Sequence, residues 1–230
     1  MSIVYATALP CFPKDAEEGR LRELCARLER AAAPRLSPGQ RVHCRRFAPR
    51  GEALRARCSR LMARLLALRA LPLGANLDRD AAGRPCAAGA PGWQIAFSHS
   101  GCAAFCLVRA PGEMPGGASQ PIALDAEAWT APASCDRAFA APAPARGAQL
   151  RRGLLAEALC KALGAEPARW GHVAAAAQAG AVLRRGTWQA HGARLGWRFL
   201  PAPGHLLCVV HPGSAPARTG LRWLPWQVLA

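Results

Sequence analysis

The feature that most limits how this chain can fold lies near its middle, where Ala110 to Gln120 (APGEMPGGASQ) gathers proline, glycine and small polar residues into one short stretch. Such a run sustains neither a helix nor a central strand, because proline lacks the backbone donor and glycine is costly to order. It divides the 230 residues into halves at 1–110 and 121–230, with 111–120 as the linker. With 51% hydrophobic residues, the chain has enough apolar material to bury a core, as one large domain or two small ones.

Both halves show the same order of patterns. In the first, Ser2 to Ala8 predicts a strand. Ala16 to Ala33 places Leu21, Leu24, Cys25 and Leu28 at helical spacing, and Pro34 with the Ser37-Pro38-Gly39 turn ends that helix. A basic patch, Gln40 to Arg50 (QRVHCRRFAPR), precedes a helix from about Glu52 to Leu71. There Leu54, Cys58, Leu61, Leu65 and Leu68 form an apolar stripe, which leaves Arg55, Arg57, Arg60, Arg64 and Arg69 to solvate the outside. Gly74 to Gly92 is rich in turn residues, and Trp93 to Val108 predicts two short strands joined by the polar turn Ser98-His99-Ser100-Gly101. In the second half Pro121 to Trp129 (PIALDAEAW) predicts a strand, Thr130 to Gln149 a loop, and Leu150 to Gly164 a helix. From Val173 onward, Ala181 to Leu183, Leu195 to Leu200 and Leu206 to Val210 predict strands. No residue-level repeat accompanies this order. The expected fold is α+β, as two halves of similar size.

A formal net charge of +16, from 30 Lys+Arg against 14 Asp+Glu, calls for an acidic partner. Nearly all of the positive charge is arginine, spread over the whole chain, so its abundance says little about a nucleic-acid surface. The only lysines are Lys14 and Lys161. The ten cysteines contain no C-x-x-C pair and sit in apolar or basic contexts, which fits reduced, buried thiols. No basic segment precedes an apolar stretch at the N-terminus, and no apolar run approaches the ~20 residues that cross a bilayer. The expectation is a cytoplasmic protein with no membrane segment, acting as a monomer.

Candidate chemistry gathers at a few positions. Asp125 and Glu127 are two apart on a predicted strand, so both project from one face. Taken alone they read as decoration of a wet strand face. Glu157 and Lys161 are four apart on a predicted helix, one turn from each other. His99 lies between two serines. Three carboxylates suit Mg²⁺, a hard cation that prefers oxygen ligands, while His, Lys and Arg suit phosphate oxygens. The combination points to a phosphoanhydride substrate carried on Mg²⁺.

These residues resemble the motifs of a known family, the surfactin-synthetase-type 4′-phosphopantetheinyl transferases, and they occur in that family's order. His43-Cys44-Arg45-Arg46-Phe47 with Glu52 and Arg55 resembles the first basic motif, and Gly83-Arg84-Pro85 the Gly-Lys-Pro turn. Phe97 to Gly101 resembles the Phe-Asn-x-Ser-His-Ser segment, and Ile122 to Glu127 the Gly-(Val/Ile)-Asp-x-Glu strand. Glu157 to Gly164 is similar to the second part of Trp-x-x-Lys-Glu-Ala-x-x-Lys, and Leu195 to Val210 to the closing hairpin. The match spans roughly residues 40 to 165.

The resemblance implies a pseudo-dimer of two α+β halves with coenzyme A and Mg²⁺ in the cleft between them. It assigns Asp125, Glu127 and Glu157 to the metal. His43, Arg84, Ser98 and His99 go to the 3′-phosphate and adenosine end, and Lys161 to the phosphates. It implies transfer of phosphopantetheine to a serine of an apo acyl or peptidyl carrier protein, with release of 3′,5′-ADP, in fatty-acid, polyketide or nonribosomal-peptide assembly. Glu157 is the implied base, with His99 and Lys161 beside it in catalysis. Two positions depart from the pattern: the family's Trp and first Lys fall on Gly153 and Ala156. The alternatives are a catalytically degenerate homologue, an Arg-rich nucleic-acid-binding module indifferent to Asp125, and another Mg²⁺-dependent nucleotide enzyme. No nucleic-acid partner is expected on the leading reading, since an acidic carrier protein accounts for the charge.

Overall fold

The computed structural model describes residues 2–13, 16–46, 51–111, 122–129, 144–164, 170–190, 193–213 and 219–229. The protein is α+β, and the described residues form five α-helices and two sheets. It divides into two compact units, Met1–Glu113 with Gly220–Ala230, and Met114–Thr219. The division falls in the Pro- and Gly-rich stretch, of which residues 112–120 lie outside the described residues. The sequence reading carries the second half to residue 230, whereas Gly220–Ala230 belong with the first unit.

The first unit opens with β1 (Ser2–Ala8) and runs through α1 (Glu17–Ala32), α2 (Pro38–Arg45) and α3 (Gly51–Ala70) into β2 (Asn76–Arg79), β3 (Pro85–Ala88), β4 (Gln94–Ser100) and β5 (Ala103–Arg109). Its sheet has the order β1-β5-β4-β3-β2, and the chain's last strand, Thr219–Trp223, is added beside β1. Every residue of β5 is buried. Leu21, Leu24, Cys25 and Leu28 of α1 pack with Leu54, Cys58, Leu61 and Leu65 of α3 over Ile95, Cys106 and Val108 of the sheet. Residues 61–68 of α3 are buried all the way round, so this is the central helix of the unit.

Two local expectations are corrected here. Ser37 does not merely stop α1: its hydroxyl accepts from the Gln40 amide and Pro38 occupies the first turn, so the pair starts α2 where a turn and basic patch are expected. Ser98, His99 and Ser100 belong to β4, and the turn is only Gly101-Cys102, because Ser100 pairs directly with Ala103. Gly101 supplies the positive φ of that tight connection, at +55°.

The second unit contains β6 (Ala123–Ala128), α4 (Pro144–Leu163), α5 (Trp170–Gly180), β7 (Arg185–Ala190), β8 (Ala193–Ala202) and β9 (His205–Pro212), with sheet order β6-β9-β8-β7. Leu154, Leu155, Ala158, Leu159 and Ala162 of α4 pack over Ala123, Cys208, Val210 and Trp197. The strand expected at Ala181–Leu183 is instead the exit of α5, where Val182 and Leu183 are exposed. The Ala-rich run Val173–Gly180 forms a helix because alanine has the highest helix propensity.

Both units follow the same path. A strand is followed by helices and then an antiparallel meander, four-stranded in the first unit and three-stranded in the second, and the last strand of the meander pairs with the first strand, β5 with β1 and β9 with β6. Among the described residues every cysteine is a free thiol, and no helix is long and apolar enough to cross a membrane.

Candidate active site

In the second unit, β6 pairs in register with β9, which sets Asp125 opposite Cys208 and Glu127 opposite Leu206. The period of a strand puts Ala123, Asp125 and Glu127 on one face, and Ala123 lies in the core formed with α4. Asp125 is buried, with its side chain only 5% exposed, whereas Glu127 is exposed. Glu157 and Lys161 stand one turn apart on α4. The Lys161 ammonium donates to Asp125 Oδ1 at 2.6 Å and lies 3.0 Å from Glu157 Oε1, so a single cation bridges a strand carboxylate and a helix carboxylate. Burial acts to lower the Lys161 pKa, but the charges and hydrogen bonds of Asp125 and Glu157 outweigh it and hold the ammonium above its ordinary value.

The same carboxylates line a cavity of about 530 Å³, together with Glu127, Gln149, Leu150, Gly153 and Ala156. The two positions that depart from the family pattern are therefore on its wall. A Cβ placed at Gly153 would meet nothing within 4 Å, and Ala156 carries only a methyl group, so neither position fills the cavity.

Three carboxylates on one cavity are hard oxygen donors, which suits a divalent cation such as Mg²⁺ in kind. Among the described residues no three His, Cys, Asp or Glu side chains are drawn together as a ready-made metal cluster. The ammonium of Lys161 instead sits on two of the three acids.

The remaining predicted residues belong to the first unit. His43, on α2, has Nδ1 3.1 Å from Arg79 Nη2. Burial, then Arg64, Arg79, Arg46 and Arg60, push its pKa down from 6.5 to about 4. The imidazole is neutral at pH 7, so Nδ1 accepts from the Arg79 guanidinium, and the positive charge here belongs to the arginines. Arg84 follows the hairpin turn between β2 and β3. Asp80 Oδ1 accepts from the amides of Ala82 and Arg84 while Oδ2 accepts from Arg84 Nε at 2.8 Å, and Gly83 takes the positive φ of +76°. Ser98 and His99 are neighbours on β4 and project to opposite faces, with Ser98 buried and His99 exposed.

The expectation that the α3 arginines only solvate the helix is corrected. Arg64 is buried, donating from Nε to Gln40 Oε1 and from Nη1 to the Arg60 carbonyl, each at 2.9 Å, with its guanidinium carbon 5.1 Å from the Phe97 ring centre. Arg57 pairs with Glu29 and Arg55 with Glu17, tying α3 to α1, and Arg69 donates to the Val228 carbonyl at 2.7 Å. Arg46, Arg60, Arg64 and Arg79 thus form a basic cluster around His43, and sequence patterning missed three of its members. The signal that could have found Arg64 is the all-round apolar character of residues 61–68, which forces an arginine among them inside; Arg60 and Arg79 have no comparable local signal.

No protein-family model and no curated protein matches this chain. The functional reading therefore rests on the geometry and on the motif resemblance.

Proposed function

We propose that the protein is a 4′-phosphopantetheinyl transferase, moving the phosphopantetheine arm of coenzyme A onto a serine of an apo acyl or peptidyl carrier protein. The observation that carries this reading is the convergence of Asp125, Glu127 and Glu157 on one cavity, with Lys161 bridging two of them. These four residues come from a strand and a helix that are distant in sequence, and the motif resemblance requires all four together.

In the proposed reaction the serine Oγ forms a bond to the β-phosphorus of coenzyme A while the bond from that phosphorus to the bridging oxygen breaks. The electron pair leaves on 3′,5′-ADP, and the serine proton passes to Glu157, directly or through a water. Glu157 suits that role because its side chain is 50% exposed at the cavity, within reach of an incoming hydroxyl. Asp125, Glu127 and Glu157 would hold Mg²⁺, which supplies neutralisation of the charge developing on the bridging oxygen. Lys161 would bind phosphate oxygens as a compact positive charge. In the first unit the cluster of Arg46, Arg60, Arg64 and Arg79 around neutral His43 supports binding of the 3′-phosphate, with Arg84, Ser98 and His99 as its proposed neighbours.

The same proposal makes the two units a pseudo-dimer with coenzyme A in the cleft between them, and their shared strand path supports it. A cytoplasmic monomer with net charge +16 fits the acidic surface of a carrier protein. The deciding experiment is intact-mass analysis of apo acyl and peptidyl carrier proteins after incubation with the protein, coenzyme A and Mg²⁺. The expected result is a gain of the phosphopantetheine mass. A panel of carriers that all remain apo would sink the proposal.

A further inference from the structure

We propose that Lys161 is a built-in occupant of the cation seat: a positioning residue that holds Asp125 and Glu157 in place of a divalent ion and yields only when an anionic phosphate ligand offers its ammonium another partner. This rests on the reading of Asp125 and Glu157 as the carboxylates that hold the cation.

The ammonium lies 2.6 Å from Asp125 Oδ1 and 3.0 Å from Glu157 Oε1, and these are oxygens a divalent ion would need at about 2.1 Å. With the ammonium still in place, the two cations would stand within roughly 4 Å of each other and repel strongly in a partly buried site. The seat therefore holds one cation at a time. The two sides of the bridge are unequally free to move. Asp125 is 5% exposed on a strand paired along its length with β9, so it cannot follow a departing partner. Lys161 is 39% exposed on a flexible four-carbon stem and can swing off without disturbing α4.

Direction comes from the cavity. It opens on the same two carboxylates, and the small residues Gly153 and Ala156 leave room for a bulky anion there. A phosphate or pyrophosphate ester entering it gives the ammonium new oxygen partners and frees the seat. Anion and divalent ion then raise each other's affinity by the same factor, as linkage requires. The unliganded protein accordingly holds Mg²⁺ weakly, and binding is ordered in favour of the anion or the anion–metal pair.

The chain's lysine content makes this directly observable. Lys14 and Lys161 are its only lysines, so a protein labelled with ¹³C,¹⁵N-lysine gives two side-chain signals, and Lys161→Gln assigns them. Mg²⁺ alone at low millimolar concentration should leave the Lys161 signal in place, and Mg²⁺ with inorganic pyrophosphate should move it. By calorimetry without anion, Lys161→Gln should bind Mg²⁺ about tenfold tighter than the unaltered protein, with reduced coupling to pyrophosphate. Arg152→Gln removes another α4 charge, whose Nη1 lies 3.2 Å from Gln178 Oε1, and should change Mg²⁺ affinity less than about twofold. Equal affinity in the unaltered and Lys161→Gln proteins, an equal gain in Arg152→Gln, a Lys161 signal unmoved while Mg²⁺ and pyrophosphate bind, or no Mg²⁺ binding in either protein would each overturn the proposal. None of these measurements needs a carrier protein or turnover. A protein that loads carriers but shows no Lys161 effect keeps its proposed function and loses this inference; the reverse pattern does the opposite.

Discussion

The two units solve one problem in opposite ways. Each lays a helix across an antiparallel sheet, and each of those helices carries a cation, buried at Arg64 and partly exposed at Lys161. In the first unit Arg64 is met by neutral acceptors and a ring, namely the Gln40 amide, the Arg60 carbonyl and Phe97. In the second unit Lys161 is met by the carboxylates of Asp125 and Glu157. A guanidinium that is hydrogen-bonded but not neutralised keeps its field, and Arg46, Arg60 and Arg79 add to it. An ammonium neutralised by two acids has almost none until it moves. The first arrangement suits standing attraction for an anion, and the second suits a cation that can be exchanged.

The strongest way to break this comparison is to remove the acid from the second unit. Asp125→Ala should lower carrier loading by about 10³-fold, the scale expected when the charge stabilisation at a phosphoryl leaving group is lost. The fold should remain, as judged by an unchanged circular-dichroism spectrum. Full loading in that variant would refute the assignment of Asp125.

Removing the cations separates the units further. Lys161→Met removes the ammonium from beside the buried Asp125 carboxylate and should cost roughly 1–3 kcal/mol in urea unfolding, discounted from a fully buried pair because Lys161 is partly exposed. Adding Asp125→Asn should restore most of that loss. Arg64→Met strands the Gln40 carbonyl oxygen but relieves a buried charge, so its net effect should stay within about 1 kcal/mol. Equal losses in the two single variants would mean that the two cations are held alike.

A subtler test uses pH. His43 titrates at about 4 in the folded protein against 6.5 as its ordinary value. Between those values the unfolded chain takes up the proton first, so this group's contribution is full above about pH 6.5, falls as the pH drops towards 4 and is level below it. Protonation also ends the ability of Nδ1 to accept from Arg79. His43→Gln should flatten that segment of the melting temperature against pH relative to the unaltered protein. Parallel curves for the two proteins would show that burial and the arginine cluster together do not hold the His43 pKa down.

Much of the second unit's site was legible because spacing alone determines it. Two residues apart on a strand and four apart on a helix fix which side chains share a face; β6 formed where its pattern predicted, and α4 covers the predicted helix but begins at Pro144, inside the expected loop Thr130 to Gln149. The first unit was harder to read. A single helical stripe describes α1 well but fails for α3, whose residues 61–68 are enclosed on every side, so Arg64 looked like a surface residue. Ser37-Pro38 carries the signals of a helix start and was met directly after a helix end, where it reads as a turn. Alanine-rich α5 has too little hydrophobic contrast for periodicity to register. Pairing across sequence distance, such as Lys161 with Asp125 or the return of Thr219–Trp223 to the first unit, has no local signature.

The smallest expected effect concerns the wall of the cavity. Gly153 lies inside α4, outside the positive-φ region, and a Cβ there meets nothing within 4 Å. Alanine at this position removes backbone freedom from the unfolded chain without a steric cost, so Gly153→Ala should stabilise the protein by about 0.5 kcal/mol. One methyl group does not close the cavity, and carrier loading should stay within about twofold of the unaltered protein, a change well under one kcal/mol in the barrier. The result sharpens the comparison between the units: a stabilised protein with unchanged loading would show that the glycine costs stability without serving turnover directly. A large loss of loading from so small a group would instead place Gly153 in close contact with the transferred arm.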